Sequence, residues 1–138
     1  MKYIGIDYGK KRIGIALSDD EGILAFPHIV LENKEGVIER IKEICVKNNI
    51  SAIVIGESRN FKGKPNSIME DSVTFAKKLK EETLLPIFFE PEFLTSREAM
   101  HIQGESHLID ASAASLILRS FLDKKRQSPI ELLDKNAI

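Results

Sequence analysis

Five carboxylates stand where apolar runs end or where a helix begins. Asp7 follows Tyr3-Ile4-Gly5-Ile6, Glu57 follows Ser51-Ala52-Ile53-Val54-Ile55-Gly56, Glu90 and Glu92 follow Pro86-Ile87-Phe88-Phe89, and Asp110 precedes an alanine-rich stretch. An unpaired carboxylate at the end of a buried strand carries a large desolvation cost. Several acids within a few ångströms of one another also resist ionisation unless a cation neutralises them. Hard divalent cations take oxygen ligands and meet both demands. Two Mg2+ or Mn2+ ions roughly 4 Å apart, bridged by a carboxylate, activate water and stabilise the leaving oxygen in phosphodiester cleavage. That chemistry calls for Asp and Glu rather than His or Cys. Each acid taken singly has a plainer reading: Asp7 opens a turn with Gly9, Asp110 caps a helix for about 1 kcal/mol, and the glutamates are solvated. Their joint placement at strand ends favours a shared site.

The basic candidates flank these acids. Lys10, Lys11 and Arg12 follow Asp7, Arg59, Lys62 and Lys64 follow Glu57, and Arg97 follows Glu92. Solubilising surface charge is the plain reading; contacts that position phosphate are the functional one. His28, His101 and His107 are scattered without metal-ligand spacing. Only His107, three residues before Asp110, is kept as a proton shuttle candidate. The single cysteine, Cys45, falls at helical spacing with Val37, Ile38 and Ile41 and reads as a core thiol.

The elements that must position the acids follow from periodicity. Residues 3–7 and 13–17 form a hairpin around a basic turn, and Gly22 to Val30 adds a third extended segment, with Pro27 indicating an edge or bulge. A helix over 35–48 places Val37, Ile38, Ile41, Ile44 and Cys45 on one face and ends at Asn48-Asn49. Residues 51–56 make a strand buried on both faces. A loop rich in polar residues leads to a helix over 67–82 that buries Ile68, Phe75 and Leu79, and 86–89 is a fifth strand. Thr95-Ser96-Arg97-Glu98 has the form of a capping box for a short helix over 96–102. Asp110 then opens a last helix with Ala111, Ala114, Leu118, Phe121 and Leu122 on its apolar face, and the pattern decays from Lys124. This order predicts an α/β fold: a mixed five-stranded sheet, three antiparallel strands then two parallel ones, flanked by helices with right-handed crossovers. In such sheets functional groups gather at the carboxyl ends of the strands.

At 138 residues the chain fits one domain with a full core. We expect that domain to span residues 1–123, with 124–138 as a flexible tail. With 43% hydrophobic and 30% charged residues it has the profile of a globular protein. No apolar run reaches the roughly 20 residues of a membrane helix, and the N-terminus lacks a signal-peptide layout, so a cytoplasmic location without a membrane partner is expected. A net charge of −1 does not announce a nucleic-acid partner, so local patches must supply any attraction.

Three stretches resemble the YqgF/RuvX family. Gly5-Ile6-Asp7-Tyr8-Gly9-Lys10-Lys11-Arg12-Ile13-Gly14-Ile15-Ala16-Leu17-Ser18-Asp19 is similar to its opening signature, Glu92-Phe93-Leu94-Thr95-Ser96-Arg97-Glu98-Ala99 to its second motif, and Asp110-Ala111-Ser112-Ala113-Ala114-Ser115-Leu116-Ile117-Leu118 to its third. The resemblance spans about residues 1–123. It implies an RNase H-like fold and a Mg2+- or Mn2+-dependent nuclease with Asp7, Glu92 and Asp110 as catalytic and metal-binding set. It further implies a nucleic-acid substrate, either the 5′ end of pre-16S rRNA or a Holliday junction, and a protein working as monomer or homodimer.

The chain departs from the family pattern at three places. Pro91 and Phe93 replace the usual Asp and Arg of the second motif, with Glu90 close enough in sequence to replace the lost acid. Gly56 is followed by Glu57-Ser58-Arg59-Asn60 where relatives have Gly-Leu-Pro, which adds Glu57 to the expected catalytic acids. Gln103-Gly104-Glu105-Ser106-His107 replaces a longer, often basic loop. Two other functions are weighed beside the nuclease. One is a nucleic-acid-binding module of the same fold without catalysis. The other is an ATP-binding domain of the actin type, whose superfamily also opens on an Asp-x-Gly turn but closes two domains around nucleotide.

Overall fold

The computed structural model describes residues 1–57, 67–91 and 106–127. Strands β1 (Tyr3–Tyr8), β2 (Arg12–Ser18) and β3 (Ala25–Glu32) form an antiparallel meander. Helix α1 (Val37–Lys47), strand β4 (Ala52–Glu57), helix α2 (Ser67–Thr83), strand β5 (Ile87–Pro91) and helix α3 (Ser106–Gln127) follow. The single sheet has the order β3-β2-β1-β4-β5, with β4 parallel to β1 and β5 parallel to β4. The expected mixed five-stranded sheet is therefore observed, and β1 stands at its centre. Pro27 and Pro91 both lie on the two edge strands, and the β2–β3 register shifts at Ile15/Ala16 beside Pro27. An edge tolerates the missing amide donor.

Alternation along the strands sorts the core into two halves. Ile4, Ile6, Ile53, Ile55 and Ile87 pack with Ile41, Cys45, Phe75 and Leu79 of α1 and α2. Tyr3, Ala16, Ala52, Val54 and Phe88 pack with Ala114, Ile117, Leu118 and Phe121 of α3. Phe75 and Leu79 of α2 and Ala114, Leu118, Phe121 and Leu122 of α3 are buried as their spacing predicts, while the side chains of Ile68 and Ala111 lie outside the described residues. α1 ends as expected: Asn48 donates its side-chain amide to the Ile44 carbonyl at 2.9 Å, and Asn49 takes the left-handed conformation at φ 54° that closes a helix.

Two glycines are required by close approach. A Cβ on Gly5 would stand 2.7 Å from Leu118 Cβ and 2.9 Å from the Ala114 carbonyl oxygen, so α3 lies directly on the middle of β1. Gly22, at φ 71° in the β2–β3 turn, would meet the Met1 carbonyl at 2.8 Å and the Tyr3 ring at 2.9 Å.

Three boundaries differ from expectation. β3 runs Ala25–Glu32 rather than from Gly22, because the turn over 19–24 is closed by Asp19, which accepts from the amides of Ile23 and Leu24. α3 begins at Ser106, so Asp110 lies inside the helix rather than capping it; no residue in Ser106–Ile109 is a helix breaker. At its other end α3 continues to Gln127 past the decay of the apolar pattern, because charged residues hold it there. Lys124 pairs with a buried carboxylate of β5, and the Lys125 ammonium sits 5.5 Å from the Tyr3 ring centroid. The short helix expected over 96–102 lies outside the described residues.

Candidate functional site

The sheet presents its carboxyl edge where β1, β4 and β5 end. Asp7 is half-buried near the end of β1. Tyr3 stacks on Phe121 at 5.9 Å between ring centroids, and Gly5 lies under Ala114 and Leu118, so alternation puts Asp7 on the α3 face as well. Tyr8 takes the other face, with its ring 4.9 Å from that of Phe75 on α2. Adjacent residues at one strand tip thus serve opposite sides of the sheet.

The turn after Asp7 carries three exposed cations, Lys10, Lys11 and Arg12. Gly9 makes the turn feasible, since a Cβ there would lie 2.6 Å from the Arg12 carbonyl oxygen. Asn33, just past β3, braces the turn: its side-chain amide donates to the Gly9 carbonyl at 2.8 Å and its backbone N–H donates to the Lys11 carbonyl at 2.9 Å. Sequence reasoning passed over Asn33. An Asn immediately after an edge strand was the available signal, but the partner 24 residues away was not visible.

Glu57 is the last residue of β4 and is half-buried. The register pairs Ile6 with Ile55, which brings Asp7 level with Gly56. Glu57, one residue on, alternates to the face covered by α1 and α2. Asp7, Glu57 and Arg12 each have an interaction partner within the chain.

Glu90 behaves differently from the expected strand-end acid. It sits inside β5, only 1% exposed, accepting from Ser120 Oγ at 2.8 Å and pairing with Lys124 Nζ at 2.6 Å. Ser120 and Lys124 both engage its Oε2, so Glu90 is held toward α3 and is not the free strand-end acid the sequence suggested. A buried carboxylate is tolerable only when paired and hydrogen-bonded in this way.

Asp110 lies in the second turn of α3, the helix that covers the face Asp7 shares; its side chain is outside the described residues, as are Glu92, Arg59, Lys62, Lys64 and Arg97. Among the described residues no group of three or more His, Cys, Asp or Glu is close enough to hold a metal ion. The donor chemistry of the candidate acids is nonetheless all oxygen, which suits Mg2+ or Mn2+ and not a softer metal. Cys45 plays no part in such chemistry: it is buried, and burial pushes its thiol up to about 11, so it stays protonated near neutrality.

Among the described residues no helix is long and apolar enough to cross a membrane. The fold is shared with resolvases. RuvC of Thermus thermophilus superposes with a TM-score of 0.59 at 17% identity, over 91% of this chain and 97% of that one. The fowlpox virus resolvase in complex with Holliday junction DNA superposes with a TM-score of 0.55 at 10% identity, over 90% and 98%. Sequence relatives are nearer. A Lawsonia intracellularis protein named "Putative pre-16S rRNA nuclease" is 32% identical over 142 residues, covering 96% of this chain and all of the relative. A protein of the same name from Nitratidesulfovibrio vulgaris is 33% identical over 141 residues, covering 94% and 99%. Residues 1–124 match the model of the family described as RuvX, Holliday junction resolvase, and with those relatives the chain belongs to the RuvX family of nucleases.

Proposed function

We propose that this chain is a divalent-metal-dependent endonuclease whose substrate is structured RNA at the 5′ end of the 16S rRNA precursor, and that it acts in the cytoplasm. The observation that carries this reading is Asp7. It is a half-buried carboxylate at the tip of the central strand, on the face covered by the helix that bears Asp110, in a chain a third identical to proteins named for that activity.

In this reading Asp7, Glu92 and Asp110 hold Mg2+ or Mn2+. The bound cation supplies a Lewis acid and lowers the pKa of water beside the scissile phosphate. The chain's own residues do the rest. Asp7 is fixed by its strand and by the α3 backbone packed on Gly5, so its oxygens are oriented before substrate arrives. Lys10, Lys11 and Arg12, on a turn braced by Asn33, hold the phosphates flanking the cleaved bond. Arg59, Lys62, Lys64 and Arg97 extend that grip. Glu57 contributes from the neighbouring strand end by reaching over the edge of the sheet, a weaker position than that of Asp7.

The test is Mn2+-dependent cleavage of a pre-16S 5′ leader transcript beside a four-way DNA junction, with wild type, Asp7→Asn and Glu57→Gln. Asp7→Asn should lose on the order of a thousandfold in rate, equivalent to about 4 kcal/mol of barrier, with an unchanged melting temperature. Glu57→Gln should lose about tenfold. Full activity in Asp7→Asn would sink the mechanism, and full activity in Glu57→Gln would remove Glu57 from the site. A second reading, junction resolution by a homodimer, is favoured by the resolvase fold and gains if the DNA junction is cut and the transcript is not.

A further inference from the structure

The face opposite Asp7 has a groove at the same end of the sheet. It lies between the start of α1 and the length of α2, with a volume of about 490 Å3. That is within the range of specific small-ligand and anchor pockets. Its lining includes half-buried Tyr8 and buried Phe75, whose rings lie 4.9 Å apart and tilted by 46°. Its walls carry Glu35, Glu39, Asp71 and Glu81, for which no ion pair is formed among the described residues.

The cations nearby do not balance these acids. Lys34 lies 3.3 Å from Glu32, which does not line the groove, and Glu82 is offset by Lys42 at 4.0 Å. Lys34 and Lys78 line the groove against the five carboxylates of Glu35, Glu39, Asp71, Glu81 and Glu82, so its lining stays net acidic. A phosphate chain is repelled there at the same sheet end where the Lys10-Lys11-Arg12 turn attracts one. The accessible part of the Tyr8 ring, rimmed by carboxylates, suits a guanidinium, which stacks on a ring and takes carboxylates in its planar fork. A lysine ammonium fits less well, being more strongly hydrated and unable to make the bidentate contact.

We infer that the α1/α2 groove docks an arginine-bearing basic segment of a partner protein. Clusters of Lys and Arg of this kind belong to nucleic-acid-associated proteins. A partner seated on Tyr8 would stand next to the substrate bound at Asp7, on the other side of the strand tip. The groove would then recognise the protein part of a ribonucleoprotein while the tip handles its nucleic acid.

Fluorescein-labelled hexa-arginine, hexa-lysine and hexa-uridylate provide the probes, read by anisotropy at low salt against the intact chain. Hexa-arginine should bind about fivefold more tightly than hexa-lysine, and the Glu39→Gln/Glu81→Gln double variant should weaken it about tenfold. Both glutamates are exposed on helix surfaces, so the variant should melt as wild type does and keep full cleavage activity. Equal affinity of hexa-arginine for wild type and variant would overturn the inference. So would hexa-uridylate binding that Tyr8→Leu removes at unchanged melting temperature, which would make the groove a nucleotide subsite. Peptide binding needs no turnover, so a chain inactive in every cleavage assay still returns a clear result here.

Discussion

The α3 face and the α1/α2 face of the sheet are packed by different means, and Asp7 and Tyr8 divide between them. On the α3 side small residues, Gly5, Ala16, Ala52 and Ala114, bring one long helix against the strands, and buried Glu90, paired with half-exposed Lys124, pins that helix to the edge strand. On the other side large aliphatic residues fill the space under two shorter helices, with the acidic groove lined by both of them and by Tyr8. Close packing and pinned ends make the first face a rigid support for orienting a carboxylate. The second face is suited to receiving a ligand. A site and a docking surface can therefore share one strand tip without sharing a wall.

Substitutions of adjacent residues in β1 should break this comparison most sharply. Gly5→Val places methyl groups against Leu118 and the Ala114 carbonyl, and a helix backbone cannot step aside as a side chain can. The expected cost is about 3 kcal/mol, at the upper end for overpacking, with cleavage lost alongside stability because α3 carries Asp110. Ile6→Val, one residue on and facing α1 and α2, removes a methyl group from an aliphatic core and should cost about 1 kcal/mol with activity retained. Urea denaturation of both variants checks the pair. Equal costs would mean that the two faces are packed alike.

The pin at the edge strand gives the next effect. Lys124→Met leaves the buried Glu90 carboxylate with Ser120 as its remaining partner in this network. Removing one member of a fully buried pair costs roughly 3–5 kcal/mol, but the Lys124 side chain is 49% exposed, so about 2 kcal/mol is expected here. The double variant Glu90→Gln/Lys124→Met should recover part of the loss, because the uncompensated charge is gone. Thermal melts of the two proteins decide this, and no recovery would show that Glu90 owes nothing to the lysine.

Much of this architecture was legible in the sequence. Val37, Ile38, Ile41 and Cys45 announced α1 by their spacing, and the continuous apolar run Ala52 to Ile55 announced a strand covered on both sides, which placed β4 next to β1. The position of Asp7 near the end of β1 was legible from the apolar run that precedes it. Its facing was not, because which side of β1 meets which helix is decided by Gly5 and Ala114, 109 residues apart in the chain. The setting of Glu90 was hidden for a related reason. An acid near the end of an apolar strand looks the same whether it faces solvent, a metal or a lysine 34 residues later. The groove was hidden too, since its acids lie on separate helices and only tertiary packing gathers them around Tyr8.

The smallest effect lies at the end of the sheet away from Asp7. In the β2–β3 turn Asp19 accepts from the backbone N–H of Ile23 at 2.7 Å and of Leu24 at 3.1 Å. Those bonds, the one from Ile23 first, hold its carboxyl below the ordinary value of 3.8. A group whose folded-state pKa is depressed contributes stability above its unfolded pKa and loses it as pH falls through the folded one. Asp19→Asn keeps an acceptor oxygen but not the charge, so it should melt slightly below wild type at pH ~6, and the gap should narrow as pH falls toward and through the depressed folded-state pKa. The carboxylate is fully exposed, so solvent screening keeps the difference small. An equal deficit across that range would mean that the variant disturbs the turn itself rather than removing a charge. Cleavage should not change at any pH where wild type is folded. Loss of activity in Asp19→Asn would show that the two ends of the sheet are coupled, and that the support under Asp7 is less rigid than its packing implies.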